Sequence, residues 1–227
     1  MIRYFFTDKR GGVSEGPYRS FNLAFHVGDD AEAVRKNRAI LERKVKKRVL
    51  FMNQIHSDKI ISASDNLCEC DAIVSDRDDL ALAVMVADCV PLLMFDRHAG
   101  VIAAVHAGRA GAFKLIAKKT AAYMCERFGC DPKNIEAVMG PHIRSCCYEV
   151  SSKIAREAAA IFSKECVKRG RFLDISLMLR ESLVQFGLKS DKIRISKECS
   201  CCNERYFSYR REGVTGRFAG VIYKEIR

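Results

Sequence analysis

The chain has 227 residues, 48% of them hydrophobic, and its 39 basic and 28 acidic side chains leave a net charge of +11. This length and composition exclude an intrinsically disordered chain, a collagen-like repeat and a small disulfide scaffold. The longest apolar stretch, 80–95, is interrupted by Asp88 and Pro91. It therefore falls short of the roughly 18 uninterrupted apolar residues of a membrane-spanning helix. The amino-terminal segment lacks the pattern of a signal peptide, so a cytoplasmic protein is expected.

The positive charge favours anionic partners, but it is dispersed along the chain. The densest basic run, 43–48, is expected to form a solvent-exposed helix end, with a nucleic-acid patch as the alternative. No helix-turn-helix, RNP or zinc-finger pattern accompanies this run. Nucleic acid is therefore not the expected partner.

The eleven cysteines are odd in number and irregularly spaced, which is typical of mostly reduced thiols. Two groups stand apart: the adjacent Cys146 and Cys147, and the run Cys199, Cys201 and Cys202. These side chains could pack, hold a metal ion, or form a reversible disulfide between Cys199 and Cys202. The sequence leaves the three roles open.

The hydrophobic pattern predicts the elements of the first half of the chain. A strand at Ile2–Phe6 precedes a glycine turn, and a helix over about Ala31–Val45 begins after Asp29 or Asp30 as its N-cap. Short apolar runs then predict consecutive strands, several of them buried on both faces. These runs are 49–56, 59–64, 71–76, 80–88, 90–96 and 100–108.

Helices dominate the second half. They are predicted at about Ala112–Phe128, Ser152–Lys164 and Ser176–Phe186, followed by a strand at Ile193–Ile195. The tail predicts a hairpin of Tyr206–Arg210 and Arg217–Ile222 around a glycine turn. No linker or internal repeat divides the chain, so one domain over residues 1–227 is expected. Strands and helices without strict βαβ alternation favour the α+β (mixed α/β) class, with layered mixed sheets and flanking helices.

Three side chains at the ends of predicted strands are candidate metal ligands: His56, Cys89 and His106. Strand ends hold side chains rigidly at the loop face, where binding groups gather. Two imidazoles and a thiolate suit zinc, and three protein ligands leave the fourth position open, as in catalytic sites. From the residues alone, Cys89 could equally be a packed thiol and the histidines ordinary polar groups.

Charged residues near these positions suggest a substrate class. Arg109 follows His106 closely, and the tail contains Arg210, Arg211 and Arg217. Arginine binds phosphate through paired hydrogen bonds, so arginines facing the site would favour an anionic or phosphate-assisted substrate. Of the nearby carboxylates, Asp71 and Asp88, the latter could orient a ligand histidine, act as general acid or base, or cap a turn.

A set of motifs gives the sequence a combined signature. Among them are NQIHSDKI, VADCVPLLMFD, AVHAG, GPHIRSCCYEV and FSYRREGVTGR, together with the long segment 6–38 and DAIVSD. In this order they resemble the YfiH family, once called laccase-domain or multicopper polyphenol oxidase proteins, over nearly the whole chain. The resemblance implies a YfiH-like fold and a zinc-dependent purine nucleoside phosphorylase. Family members also deaminate adenosine and cleave methylthioadenosine, and some are linked to peptidoglycan editing.

The resemblance also implies the metal ligands. They are the histidine of Q-x-H, the cysteine of A-D-C and the histidine of H-A-G, which fall on His56, Cys89 and His106. The expected ion is zinc, and the same ligand set suits copper. The family pattern H-A-G-W-R-G reads HAGRAG here, so Arg109 replaces a tryptophan and Ala110 an arginine. The preferred nucleoside is therefore left open.

The favoured hypothesis is phosphorolysis of adenosine, inosine or methylthioadenosine to the free base and ribose 1-phosphate. Zinc would polarise substrate or water, and Arg109 or Arg210 would hold anionic oxygen. Asp88 would move protons in a deamination at the same ion. The five histidines contain no His-x-His pair, so a four-copper oxidase is not expected.

Three different functions compete with this hypothesis. The site could hold a single copper ion in a polyphenol oxidoreductase. Cys89 could instead be the nucleophile and His106 the base of a cysteine hydrolase acting in peptidoglycan editing. The chain could also be a basic nucleic-acid-binding module whose zinc is structural, with His26 or a tail cysteine as fourth ligand. The sequence does not determine the oligomeric state.

Overall fold

The computed structural model describes residues 1–63 and 69–225 of the chain. Within them it contains twelve strands and six α-helices. The strands are β1 (Ile2–Phe6), β2 (Arg48–Phe51), β3 (Ile60–Ser62), β4 (Ala72–Ser75), β5 (Leu80–Val86), β6 (Val90–Asp96), β7 (Val101–Ala107), β8 (Glu136–Met139), β9 (Val167–Lys168), β10 (Phe172–Leu173), β11 (Ile193–Ile195) and β12 (Phe218–Lys224). The helices are α1 (Ala31–Val45), α2 (Arg109–Phe113), α3 (Ile116–Phe128), α4 (Ser152–Ile161), α5 (Ile175–Phe186) and α6 (Tyr209–Glu212).

Two mixed sheets form the centre of the fold. The four-stranded sheet has the order β1-β12-β5-β2, antiparallel except for the parallel pair β2 and β5. The six-stranded sheet has the order β11-β8-β6-β7-β4-β3. Its central pairs are antiparallel and its outer pairs, β11 with β8 and β3 with β4, are parallel. The predicted α+β (mixed α/β) class is confirmed.

The two sheets pack face to face, and helices cover their outer faces. Leu82 of β5 and Leu93 of β6 belong to the apolar cluster between the sheets. The neighbouring Ala83 points the other way and packs with Leu41 of α1, while Leu92 packs in the cluster formed with α3 and α5. Side chains on a strand alternate between faces, so β5 and β6 are apolar at nearly every position because both of their faces are buried.

Three local predictions differ from the structure. The second strand of the predicted tail hairpin forms as β12 and pairs with β1 and β5. The hairpin itself is wrong, because Ser208 caps helix α6 by accepting a hydrogen bond from the backbone N–H of Arg211 at 3.3 Å. The predicted helix 112–128 is interrupted at Leu115, whose φ of 60° is left-handed. The first predicted central strand ends at Phe51, so His56 lies in a loop beyond it. Residue 64 of the predicted strand 59–64 lies outside the described residues.

The basic run, 43–48, extends from the end of helix α1 to the start of strand β2. Residues 43–45 form the last turn of α1, and strand β2 begins at Arg48. Within the described ranges, the helices are too short or too polar to cross a bilayer.

Candidate metal and substrate site

The strand pairing brings His56, Cys89 and His106 together. Cys89 lies in the turn where the chain passes from β5 in one sheet to β6 in the other. Strand β6 pairs with β7 so that Pro91 lies opposite His106. The loop after β2 supplies His56. The ligand atoms of the three side chains lie within 4.8 Å of one another, so this group could hold a metal ion.

Asp71 orients two of these three residues. Pairing of β4 with β7 sets Ala72 opposite Val105, which places the preceding Asp71 beside His106. The buried Asp71 carboxylate lies 2.8 Å from Nδ1 of His106 and accepts the backbone N–H of His56 at 3.0 Å. The second bond supports the left-handed backbone of His56, which has a φ of 59°. Because Nδ1 is engaged, Nε2 of His106 is left for the metal.

The orientation of a ligand histidine by a carboxylate therefore falls to Asp71. From the sequence this role was a candidate for Asp88, and Asp71 was only a nearby carboxylate. The signal that could have found Asp71 is the register of β4 and β7, which depends on strand pairing and is not visible in a single strand.

The site stabilises a charged thiolate. Burial opposes ionisation of Cys89, but the charges and hydrogen bonds of His106 and His56 outweigh it and lower the pKa of the thiol to about 6. Burial also opposes protonation of His106, yet Cys89 and Asp71 raise the pKa of its imidazole to about 9. Without a metal, the two groups therefore form a thiolate–imidazolium pair near neutral pH.

Gly108 leaves room for the cluster. A Cβ atom at this position would lie 2.8 Å from Sγ of Cys89 and 3.5 Å from Cδ2 of His56. Glycine is the residue without that atom, and so the backbone of the chain after β7 approaches the three side chains closely. Together with the borderline-soft donor set of two imidazoles and one thiolate, this space fits a zinc ion.

The cluster borders a cavity of about 340 Å³. Its wall combines aromatic and cationic side chains, which include His26, Tyr148, Tyr209, Arg210 and Arg217. Partial burial and the neighbouring charges of Arg217 and Arg38 lower the pKa of His26. Tyr148 and Tyr209 could not be identified from the sequence, because their approach to the metal ligands depends on how the loops fold.

The predicted arginines take up different positions. Arg210 lines the cavity, lies over the ring of Tyr148 at 5.2 Å, and donates to the carbonyl of Cys147 at 3.1 Å. Arg217 also lines the cavity and donates to the carbonyl of Thr215 at 2.9 Å. Arg109 lies near Tyr148: burial raises the pKa of the Tyr148 hydroxyl, and the charge of Arg109 opposes that rise. Arg211 instead holds the tail, where it donates to the carbonyl of Cys201 at 2.8 Å.

Asp88 lines the cavity, but its carboxylate is already engaged. One oxygen accepts the hydroxyl of Ser200 and the other the backbone N–H of Arg210, each at 2.7 Å. These bonds connect the Cys89 turn to helix α6. The contacts favour a role for Asp88 in positioning Arg210.

Comparison with known proteins gives a consistent result. The family model described as multi-copper polyphenol oxidoreductase laccase matches residues 3–225. A purine nucleoside phosphorylase of Corynebacterium glutamicum is 42% identical over 98% of this chain and 94% of its own length. One from Mycobacterium bovis is 38% identical, with 99% and 92% covered. The crystal structure of the hypothetical protein YfiH from Bacillus licheniformis is 31% identical, covers 99% of this chain and 93% of its own, and superimposes with a TM-score of 0.93.

Proposed function

The chain belongs to the multi-copper polyphenol oxidoreductase laccase family, and we propose that it is a zinc-dependent purine nucleoside phosphorylase. The observation that carries this proposal is the convergence of His56, Cys89 and His106 at a cavity that also contains arginine side chains. In this proposal, residues 1–227 act as one catalytic domain in the cytoplasm, on small-molecule nucleosides and inorganic phosphate.

The metal would be held by His56, Cys89 and His106. Asp71 supports this role because it fixes the ring of His106, and Gly108 supports it because it leaves space beside Cys89. A zinc ion with three protein ligands supplies a Lewis acid with an open coordination position. The remaining groups of the cavity bind and orient the two substrates.

Phosphorolysis breaks the bond between C1′ of the ribose and the purine nitrogen and forms a bond between C1′ and a phosphate oxygen. The purine leaves with the electron pair of the broken bond and takes up the proton that hydrogen phosphate loses on forming the ester. Arg210 and Arg217 would hold phosphate beside C1′, since neither uses all of its N–H donors on the protein. The phosphate charge then stabilises the positive charge that develops on the ribose. Tyr148 and Tyr209 would pack against the purine ring.

Arg109 and Asp88 are the two other residues that the sequence predicts to take part in the reaction. Arg109 would assist Arg210 in holding anionic oxygen, because it lies near Tyr148 at the cavity edge. Asp88 would hold the backbone of Arg210 in place, and its direct catalytic role in moving protons remains a prediction. Deamination of adenosine and cleavage of methylthioadenosine at the same cavity are further predictions.

Product analysis tests the proposal. Purified protein of measured metal content is incubated with adenosine, inosine and methylthioadenosine, with and without phosphate, and products are separated by chromatography. We expect free base and ribose 1-phosphate, or methylthioribose 1-phosphate from methylthioadenosine. These products should form only with phosphate and be lost in Cys89→Ala together with the zinc of the His56 group. Cys125→Ala is the matched control, since Cys125 is also a half-buried cysteine but lies in α3. No purine product from zinc-loaded protein would contradict the proposal.

A cysteine hydrolase is the second candidate, and one observation favours it. Cys89, His106 and Asp71 have the relationship of a nucleophile, a base and an orienting carboxylate, and the pKa of the Cys89 thiol is lowered to about 6. A thiolate bound to zinc is a poor nucleophile, so the two functions respond oppositely to a chelator. Removal of the metal abolishes phosphorolysis, whereas it would spare or increase hydrolysis of amide or peptidoglycan-type bonds.

A copper oxidoreductase and a nucleic-acid-binding module would each behave differently from a phosphorylase. A single-copper polyphenol oxidoreductase would retain copper in metal analysis and oxidise phenols. Within the described residues, His98 lies in the turn after β6, and His142 is buried with its Nδ1 2.7 Å from the carbonyl of Gly140. Neither joins the His56 group, which argues against a multicopper cluster.

A nucleic-acid-binding module would show an affinity for nucleic acid that falls steeply as the salt concentration rises.

A further inference from the structure

A second group of cysteines lies outside the site formed by His56, Cys89 and His106. Cys146 and Cys147 come from the loop after β8, and Cys199 and Cys202 come from the loop after β11. The four sulfur atoms all lie within 4.8 Å of one another. Sγ of Cys202 is 3.6 Å from that of Cys146 and 3.2 Å from that of Cys147. Cys201, in the same loop, is not part of the group.

These sulfur–sulfur distances match four ligands arranged tetrahedrally around a single metal ion. With a zinc–sulfur bond of about 2.3 Å, the edges of a tetrahedron of sulfur ligands are about 3.8 Å long. A four-iron cluster needs a wider arrangement, because each of its sulfur ligands binds a different corner iron. The group therefore has the size for one zinc ion.

A backbone N–H donor and guanidinium groups lie beside the four sulfur atoms. The backbone N–H of Arg144 donates to Sγ of Cys199 at 3.4 Å. Arg169 donates to the carbonyl of Cys146 at 3.1 Å, and Arg211 donates to the carbonyl of Ser200 at 2.9 Å. Four thiolates with a divalent ion carry a net negative charge, which the nearby guanidinium groups of these arginines would offset.

A pairwise disulfide explains the arrangement less well. Each loop contributes two sulfur atoms to the group, and Sγ of Cys202 is near Sγ of both Cys146 and Cys147. A disulfide would use one of these contacts and leave two thiols beside it. One ion with four ligands uses all four sulfur atoms, and the Cys-x-x-Cys spacing of 199–202 is common in structural zinc sites.

We propose that Cys146, Cys147, Cys199 and Cys202 bind a structural zinc ion that fastens the loop after β8 to the loop after β11. The loop after β8 continues into the cavity wall, and the loop after β11 contacts that wall at Asp88. Tyr148 follows Cys147, whose carbonyl accepts from Arg210, and Ser200 follows Cys199 and donates to Asp88 at 2.7 Å. The ion would therefore keep these cavity residues in place. This proposal rests on the four thiols and does not depend on the reaction at Cys89.

Metal analysis of the full-length protein, purified with a reducing agent and without chelator, tests the proposal. We expect about two zinc ions per chain in the wild type, since the four-cysteine group and the His56 group each bind one. Cys202→Ser and, separately, Cys146→Ser should each lose one equivalent. Both side chains are exposed, so neither substitution disturbs the core. Cys201→Ser is the matched control in the same loop and should keep both ions.

A second readout separates this site from the first. In cobalt-substituted protein, Cys89→Ala should retain an intense thiolate-to-cobalt absorption from a four-sulfur site, and Cys202→Ser should lose most of it. The proposal is overturned if the wild type and Cys202→Ser bind equal amounts of zinc. It is also overturned if the four cysteines hold iron, or if mass spectrometry of the protein as isolated shows a disulfide among them. None of these results bears on Cys89, so the proposed function is tested separately.

Discussion

Asp71 is the residue whose replacement tests the site geometry most sharply. Its two oxygens accept from the backbone N–H groups of Ile55, His56 and Ser57, from the hydroxyl of Ser57 and from Nδ1 of His106. In Asp71→Asn, one of these oxygens becomes an NH₂ group that faces donors. Two or three donors, of which only Nδ1 of His106 is fully buried and the others are partly buried, then lose their acceptor.

The expected cost has two parts. An unpaired buried donor costs about 1–3 kcal/mol, so the metal-free protein should lose on the order of 3 kcal/mol of unfolding free energy. Loss of a carboxylate that orients a ligand histidine weakens metal binding about 10- to 100-fold. Urea unfolding with a chelator present measures the first effect. Competition with a chromophoric chelator measures the zinc affinity of the folded variant.

Asp96→Asn is the matched control. Asp96 is equally buried, and one of its oxygens accepts the backbone N–H groups of His98 and Ala99 at 2.8 and 3.1 Å, but it lies at the end of β6 away from Cys89. This variant should lose stability and keep its zinc affinity. An unchanged zinc affinity in Asp71→Asn, or an equal loss in Asp96→Asn, would refute the role given to Asp71.

Further predictions concern the same site. Gly108→Ala should reduce zinc content well below one ion at the His56 group, since its Cβ would lie 2.8 Å from Cys89, and metal analysis of folded protein checks this. Zinc binding near pH 7 should release about one proton, because His106, whose pKa is raised, must lose a proton to bind the ion while Cys89 is already ionised. Calorimetry in buffers of different ionisation enthalpy measures the number of protons released. By the same reasoning, zinc affinity should fall as the pH drops below about 9, where His106 gains a proton, and fall more steeply below about 6, where Cys89 gains one too. Arg217→Met should raise the KM for phosphate more than the KM for the nucleoside in steady-state kinetics.

Local sequence signals predicted the layers of the fold. The apolar runs of β5 and β6 indicated burial on both faces, and Asp30 does cap helix α1, with its side chain accepting from the backbone N–H of Ala33 at 2.7 Å. Strand-end reasoning also selected Cys89 and His106, which lie beside β6 and near the end of β7, and His56, which in fact lies in the loop beyond β2. The structure brings the three together. These features could be predicted because each depends on periodicity or on a residue's position beside its own strand.

The remaining features depend on contacts between distant segments. Helix α6 replaces the expected hairpin where Ser208 caps it and Asp88 accepts the N–H of Arg210. The position of Asp71 depends on the register of β4 against β7. The four-cysteine group requires two loops to meet, and neither loop contains all the ligands. Spacing within one segment contains no information about such contacts.

Phosphorus NMR tests the proposed phosphorolysis directly. Zinc-loaded protein is incubated with inosine and inorganic phosphate, and Cys89→Ala is run beside it. We expect the phosphate signal to decrease as a ribose 1-phosphate signal grows in equal amount, and neither signal to change with the variant. Release of hypoxanthine with free ribose and an unchanged phosphate signal, or full activity in the variant without zinc, would contradict a zinc-dependent phosphorylase.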